Sequence, residues 1–231
     1  MKIKLLLPLF FLPFLIFSQE RLEAGFFAGI ANYQGDLVEN DIQLGETKIA
    51  LGGILRYHLS TKFNIRGSAY FGSIAGDDKN SEELAARMFR FKSDVLELGL
   101  MGEWKIMGRE RYNSVGVFMP HFTPYLLGGI AYTHAPNETE CYDPACQGAD
   151  NPFPEAGDKT AFISFPIGAG LKYDIFEFFT IGGEFGFRAL FSDYLDGVSE
   201  NGRSDKNDWY FFSGLTATFF FGNGPKGLQL D

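Results

Sequence analysis

The sequence predicts an all-β protein: an eight-stranded antiparallel transmembrane β-barrel with short periplasmic turns and long extracellular loops. Three observations predict it. Apolar and polar residues alternate with a period of two in eight separate blocks, as strands with two different faces require. The connections alternate between tight turns and long polar loops. Aromatic residues make up 16% of the chain, 26 of them Phe, and they cluster at block ends, where interfacial girdles sit.

The chain opens with the basic Met1-Lys2-Ile3-Lys4. The apolar run Leu5 to Phe17 follows, interrupted by Pro8 and Pro13, and then Ser18 before Gln19-Glu20. This pattern predicts a signal peptide over 1–18, cut near Ser18 or Gln19, although Ile16 departs from the Ala-x-Ala rule. A run of about thirteen apolar residues with two prolines is too short for a membrane helix. No Cys lies near the cut to mark a lipoprotein. The barrel domain then occupies 19–222, and 223–231 forms a flexible tail. Without Lys2 and Lys4 the formal net charge moves from −9 to −11, with 18 basic residues against 29 acidic. So acidic a balance argues against nucleic-acid binding. Mean hydropathy is −0.05 and no later apolar run is long enough for a helical span. A barrel stays compatible, because half of each strand faces a polar interior.

The strand blocks are 21–34, 47–59, 62–74, 91–107, 123–134, 161–175, 178–191 and 208–221. In the second, Ile49, Leu51, Leu55 and Tyr57 alternate with Ala50, Arg56 and His58. The third sets Phe63, Ile65, Ala69 and Phe71 against Asn64, Arg66, Ser68 and Tyr70. The fourth sets Leu96, Leu98, Leu100, Trp104 and Ile106 against Glu97, Glu103 and Lys105. The sixth sets Ile163, Phe165, Ile167 and Leu171 against Ser164, Lys172 and Asp174. The seventh, 178–191, keeps one apolar face while Thr180, Glu184 and Arg188 share the other. The first, fifth and eighth are less regular; Phe27, Phe212 and Phe220 break the alternation. Residues 59–62 and 175–177 are tight turns, whereas 35–46, 75–90, 135–160 and 192–207 are long and polar. Leu84 to Phe89 could form a helical turn. Eight strands with the long loops outside put both termini in the periplasm of a bacterial outer membrane.

A soluble barrel of lipocalin type would invert the faces. Charged positions are few and balanced, Glu23, Glu97, Glu103 and Glu184 against Arg56, Arg66, Arg188 and Lys172. That suits a narrow lumen in which charges pair, since a water-facing surface carries more of them. Aromatics at strand ends (Tyr57, Trp104, Tyr125, Tyr132, Tyr173, Trp209, Tyr210, Phe219 and Phe221) read as girdles. Glycines inside strands allow the sharp curvature of a small barrel.

Cys141 and Cys146, five apart, predict a local disulfide pinning an outer loop in an oxidising compartment. The spacing is not that of a C-x-x-C redox pair, and zinc would need further ligands. Gly222 to Gly227 spells G-x-G-x-x-G, but Pro225 precludes the helix a dinucleotide requires. Asn137-Glu138-Thr139 matches a glycosylation sequon that carries no meaning in a bacterial barrel. Asp77-Asp78 and Asp193 with Asp196 lack calcium-loop spacing. His58, His121 and His134 are scattered, and no arrangement activates a nucleophile. A non-enzymatic protein without cofactor or metal is expected.

Several blocks, in order, carry a resemblance: Asn32 to Leu37, Arg90 to Glu97, Pro124 to Ile130, Phe165 to Tyr173, Glu184 to Arg188, and Phe191 to Ser199 with its Asp-Tyr-Leu-Asp core. Together they resemble the outer-membrane barrel family of Bacteroidota that includes PorG, a component of the type IX secretion system. Gly197 stands where that family often has another Asp, and the 135–160 loop with its Cys pair is an individual elaboration. The resemblance implies a subunit that tethers the periplasmic ring of PorK- and PorN-like proteins to the outer membrane. Such a partner can touch only the tight turns, the tail and the 107–122 connection, whose Arg109, Arg111, Tyr112 and Phe118 are candidate contacts. The alternative is a free-standing barrel that stabilises the envelope or binds a ligand through its outer loops, with outer-membrane lipids as its surroundings.

Overall fold

The computed structural model describes residues 21–34, 47–77, 89–141, 160–190 and 209–221. These hold nine strands: β1 (Leu22–Gln34), β2 (Lys48–His58), β3 (Phe63–Asp77), β4 (Phe89–Lys105), β5 (Phe122–His134), β6 (Asn137–Cys141), β7 (Ala161–Phe176), β8 (Phe179–Leu190) and β9 (Trp209–Phe220). They form one antiparallel sheet in the order β3-β2-β1-β9-β8-β7-β5-β4-β6, and the additional β3–β4 pairing closes it into a barrel. The wall has eight positions, because β5 and β6 both pair with β4. β5 runs along Leu96 to Lys105 and β6 along Phe89 to Ser93, so the two are segments of one wall strand. The break falls at Ala135-Pro136. Pro136 has no N–H to give a ladder, while Ala135 N–H donates to the Thr160 carbonyl at 2.8 Å and Ser93 Oγ–H to the Pro136 carbonyl at 2.9 Å.

The eight blocks read from the sequence match the wall strands to within two residues, with two exceptions: β3 runs three residues further than expected, and the wall strand made of β5 and β6 runs seven further, to Cys141. Gly76 pairs with Phe91 and Asp77 with Arg90. Polar residues mark a loop in the sequence, but backbone pairing is indifferent to them once a hairpin has formed. The break before β6 likewise moves residues 137–141 from the expected loop into the wall, including the Asn137-Glu138-Thr139 triplet. Of the possible helical turn, Phe89 opens β4 and 84–88 lie outside the described residues. So do the expected signal segment, the expected tail and Asp193 to Asp196.

Side chains alternate around the wall. Phe26, Ile49, Leu51, Leu100, Ile167 and Leu215 point outward and are more than half exposed. An apolar belt of this extent far exceeds what a soluble monomer presents, and its solvent is the hydrocarbon of a membrane. Cross-strand aromatic pairs rim the belt at the end where β1 begins and β9 finishes: Phe122 with Tyr173 at 4.5 Å and Phe179 with Phe219 at 5.0 Å. We call this the terminal end and the opposite one the loop end.

Two of the residues assigned to girdles are corrected by the structure. Tyr125 and Tyr210 lie inside the barrel, 1% and 0% exposed. Tyr125 shares the inward phase of Thr123 and Leu127, and Tyr210 that of Phe212. Phe27 and Phe212, which broke the alternation, are also inside. Phe27 meets Tyr70 edge-on at 4.9 Å, and Tyr70 lies 5.3 Å from Phe212. Towards the loop end Ala31, Ala50, Ile74, Val95 and Leu190 complete an apolar layer; towards the terminal end the interior is ionic.

Rings this large need room beside them. A Cβ at Gly52 would strike the Tyr70 ring, and one at Gly170 would strike the Tyr125 ring. Inward glycines therefore serve packing as well as curvature. The large interior side chains fill the lumen, as expected of an eight-stranded barrel. Reconstituted in planar bilayers, the protein should give no stepwise ion conductance; discrete channel openings would contradict this packing.

Candidate functional site

The interior is organised around acidic residues projected inward from the wall. Glu103 on β4 accepts from Arg56 Nε–H on β2 at 2.7 Å, Arg66 Nη1–H on β3 at 3.2 Å and Lys172 Nζ–H on β7 at 2.7 Å. Asn64 Nδ2–H adds a fourth bond at 3.1 Å. Arg56 also reaches Glu23 on β1 at 2.6 Å, where Thr218 Oγ1–H of β9 donates as well. Arg66 also grips Glu184 on β8, which accepts from Tyr125 of β5 at 2.7 Å and Tyr70 at 3.2 Å. Arg66 contacts Tyr70 directly too. All eight wall strands thus contribute to one cluster. A second cluster lies nearer the loop end. Arg188 donates to Glu97 at 3.1 Å, Tyr210 donates to Glu97 at 2.7 Å, and Thr133 links Tyr210 to Ser164. The Arg188 guanidinium lies over the Phe212 ring at 4.6 Å, joining this cluster to the aromatic layer.

The structure therefore brings together Glu23, Arg56, Arg66, Glu103, Lys172 and Glu184, and separately Glu97 with Arg188. Glu184 and Arg188, four apart on one face, pair with different partners. Buried ions are tolerable only when paired and hydrogen-bonded. Inside a narrow wall each carboxylate here has at least two donors.

At the terminal end a cavity of about 500 Å³ opens, lined by Glu23, His58, Lys105, His121, Lys172 and Asp174 among others. Residues 106–121 fold beside it. Asn113 N–H donates to the Val117 carbonyl and Met119 N–H to the Arg111 carbonyl, both at 3.0 Å, and Tyr112 pairs with Phe118. The turn depends on Asn113 Oδ1, which accepts from Val115 and Val117 N–H at 3.1 and 2.8 Å, and on Gly116 at φ 80°. A side chain there would be strained.

The four candidate contacts fall in different places. Arg109 is exposed. Arg111 turns into the mouth, donating to Asp174 Oδ1 at 2.8 Å, Thr180 Oγ1 at 3.0 Å and the Glu177 carbonyl at 2.7 Å, with its guanidinium 4.7 Å from the Phe220 ring. Tyr112 and Phe118 are half-buried against one another, their centroids 6.3 Å apart. Partial burial, then the nearby Glu177 charge, push the Tyr112 hydroxyl above its ordinary range, so it stays a neutral donor. Val115 and Val117 at the tip, and Met119 on the arm below it, are more than half exposed. Cys141 ends β6, and Cys146 lies outside the described residues.

Sequence reasoning missed the tyrosines of the network, the strap made by Arg111, and Lys105 and Asp174 as lining of the mouth. Strict parity counting along the fifth and eighth blocks carries the signal for Tyr125 and Tyr210. Nothing local carries the Arg111 contacts, which join residues more than sixty apart.

Gly170→Ala should force Tyr125 off Glu184 and lower stability by about 1–3 kcal/mol, the usual cost of overpacking. Gly183→Ala, at an outward position where an added Cβ meets nothing within 4 Å, should be neutral or stabilising by up to about 1 kcal/mol. Urea unfolding midpoints in lipid check both, and equal shifts would refute the packing role of Gly170.

Among solved structures, the chain resembles Neisserial surface protein A, with a TM-score of 0.51 at 8% identity, covering 86% of this chain and 96% of that one. It also matches Ail, the attachment invasion locus protein of Yersinia pestis, with a TM-score of 0.43 at 12% identity, covering 87% and 99%. The first likeness supports the barrel fold and nothing finer. No curated protein matches the chain. A family model described as a domain of unknown function, DUF6089, matches residues 3–227, nearly the whole sequence, and the protein belongs to that family.

Proposed function

We propose that the protein sits in a bacterial outer membrane with both termini in the periplasm and acts without catalysis as an anchor. On this reading it is a PorG-like subunit of a type IX secretion system, and it holds the periplasmic ring of PorK- and PorN-like proteins to the membrane. The observation that carries the reading is the contrast between a filled lumen and the folded hairpin at the terminal end. A lumen packed with side chains offers no route for cargo, so the working surfaces are the two ends. At the terminal end a rigid hairpin presents Arg109, Glu110, Val115, Val117 and Met119, and the resemblance in the strand-end blocks supplies the partner.

The same contacts refine which residues a ring protein would meet. Arg111 is committed to Asp174 and the barrel mouth, and Tyr112 with Phe118 brace the hairpin. Contact therefore falls to Arg109 and the apolar tip. The Cys141–Cys146 disulfide, on this reading, pins the opposite, extracellular end and has no part in ring binding.

Extraction in mild detergent should co-purify the ring proteins. Replacing 113–117 by a two-residue turn should abolish that association while the barrel still inserts, as shown by heat-dependent gel mobility. A barrel that purifies alone from cells containing the ring would instead support a free-standing role in the envelope.

A further inference from the structure

We infer that the cavity at the terminal end binds a phosphoryl group, with Lys105 as its principal charge partner. This inference does not depend on the secretion reading. Lys105 ends β4 with its side chain inside the wall, only 9% exposed, and lines the cavity. Its one hydrogen bond is long, 3.4 Å from Nζ to the Ser60 carbonyl. Among the described residues no carboxylate lies within ion-pair distance of it. Of the carboxylates that line the same space, the buried two are already engaged, Glu23 by Arg56 and His58 and Asp174 by Arg111 and His121, while Glu110 stands exposed at the rim, outside ion-pair distance of Lys105.

A desolvated ammonium with no counter-ion is costly, and in this barrel it is the exception, since Arg56, Arg66, Lys172 and Arg188 each meet a carboxylate at 3.2 Å or less. An external anion would complete the pattern. Arg21 and Arg109, exposed at the rim, add to the positive potential and would steer an anion inward. The cavity volume is in the range of small-molecule sites. A lysine acts on phosphate as a compact point charge, whereas planar carboxylate recognition favours a guanidinium fork. Of the guanidiniums that line the cavity, Arg111 is already occupied by Asp174, and Arg21 and Arg109 stand at the exposed rim, so the buried contact falls to the Lys105 ammonium. A phosphoryl oxyanion is thus the ligand chemistry that fits, from a free phosphate ester or a lipid headgroup.

The test uses the full mature barrel refolded in a phosphate-free detergent at low salt, with folding verified by heat-dependent gel mobility. Calorimetric titration with inorganic phosphate and with glycerol 3-phosphate forms one arm. Titration with a short-chain phosphatidylglycerol, against the matching diacylglycerol, which lacks the phosphoryl group, forms the other. Saturable binding in either arm is expected, and the arm that responds identifies the source. Lys105→Met should weaken it at least about tenfold, while Lys105→Arg should retain it within a few-fold. Thr123→Glu, which places a carboxylate in the same cavity, should abolish it and serves in place of K105M if that variant does not fold. No saturable binding in either arm, or unchanged affinity in Lys105→Met or Thr123→Glu, would overturn the inference.

Discussion

Glu103 is the residue on which the rest of this barrel depends. It stands on β4 and receives Arg56 from β2, Arg66 from β3 and Lys172 from β7. The underlying constraint is electrostatic. An eight-stranded wall leaves an interior too narrow for bulk water, so the charges in its middle must find their neutralising partners there. Because those partners come from different strands, satisfying the charges fixes the register of the wall as a whole. A one-residue slip in β1, β2, β3, β4, β7 or β8 would turn an ion outward into lipid and an apolar residue inward, and one in β5 or β9 would do the same to a hydroxyl of the network.

The same constraint separates location from task. The outward belt of Phe, Leu and Ile answers only to the membrane, and the inward ions answer only to each other. Neither offers a partner anything to recognise. Surfaces free to evolve recognition are the ends of the barrel, and at the terminal end the chain has invested in a folded hairpin strapped by Arg111 to Asp174. A strap of this kind ties the hairpin to the mouth. It also leaves Lys105 as the buried cation there with no carboxylate within ion-pair distance among the described residues.

Fold and strand bounds were legible in the sequence because alternation is a local property, and one residue's burial predicts its neighbour's exposure. Glu23, Arg56, Arg66, Glu97, Glu103, Lys172, Glu184 and Arg188 were legible as inward for that reason. Which ion meets which was not: Glu184 and Arg188 invite pairing by their spacing, yet the wall's curvature sends them to Arg66 and Glu97. Tyr125 and Tyr210 were misplaced because an aromatic near a strand end resembles a girdle residue unless its parity is counted. Arg111 was read as free because the segment between two strands gives no hint that it folds back over the mouth. β6 was missed because Pro136 interrupts the pattern that would have extended β5.

A double-mutant cycle at the centre of the network tests this account most directly. Glu103→Gln alone should lower the free energy of folding into lipid by about 3–5 kcal/mol, the usual cost of leaving buried charge unpaired. Adding Lys172→Met, which removes one of the cations left without a counter-charge, should recover a large part of that loss, giving a coupling energy of at least about 1.5 kcal/mol. If the two substitutions simply add, the charges are not neutralising one another, and the ion network is not what sets the wall.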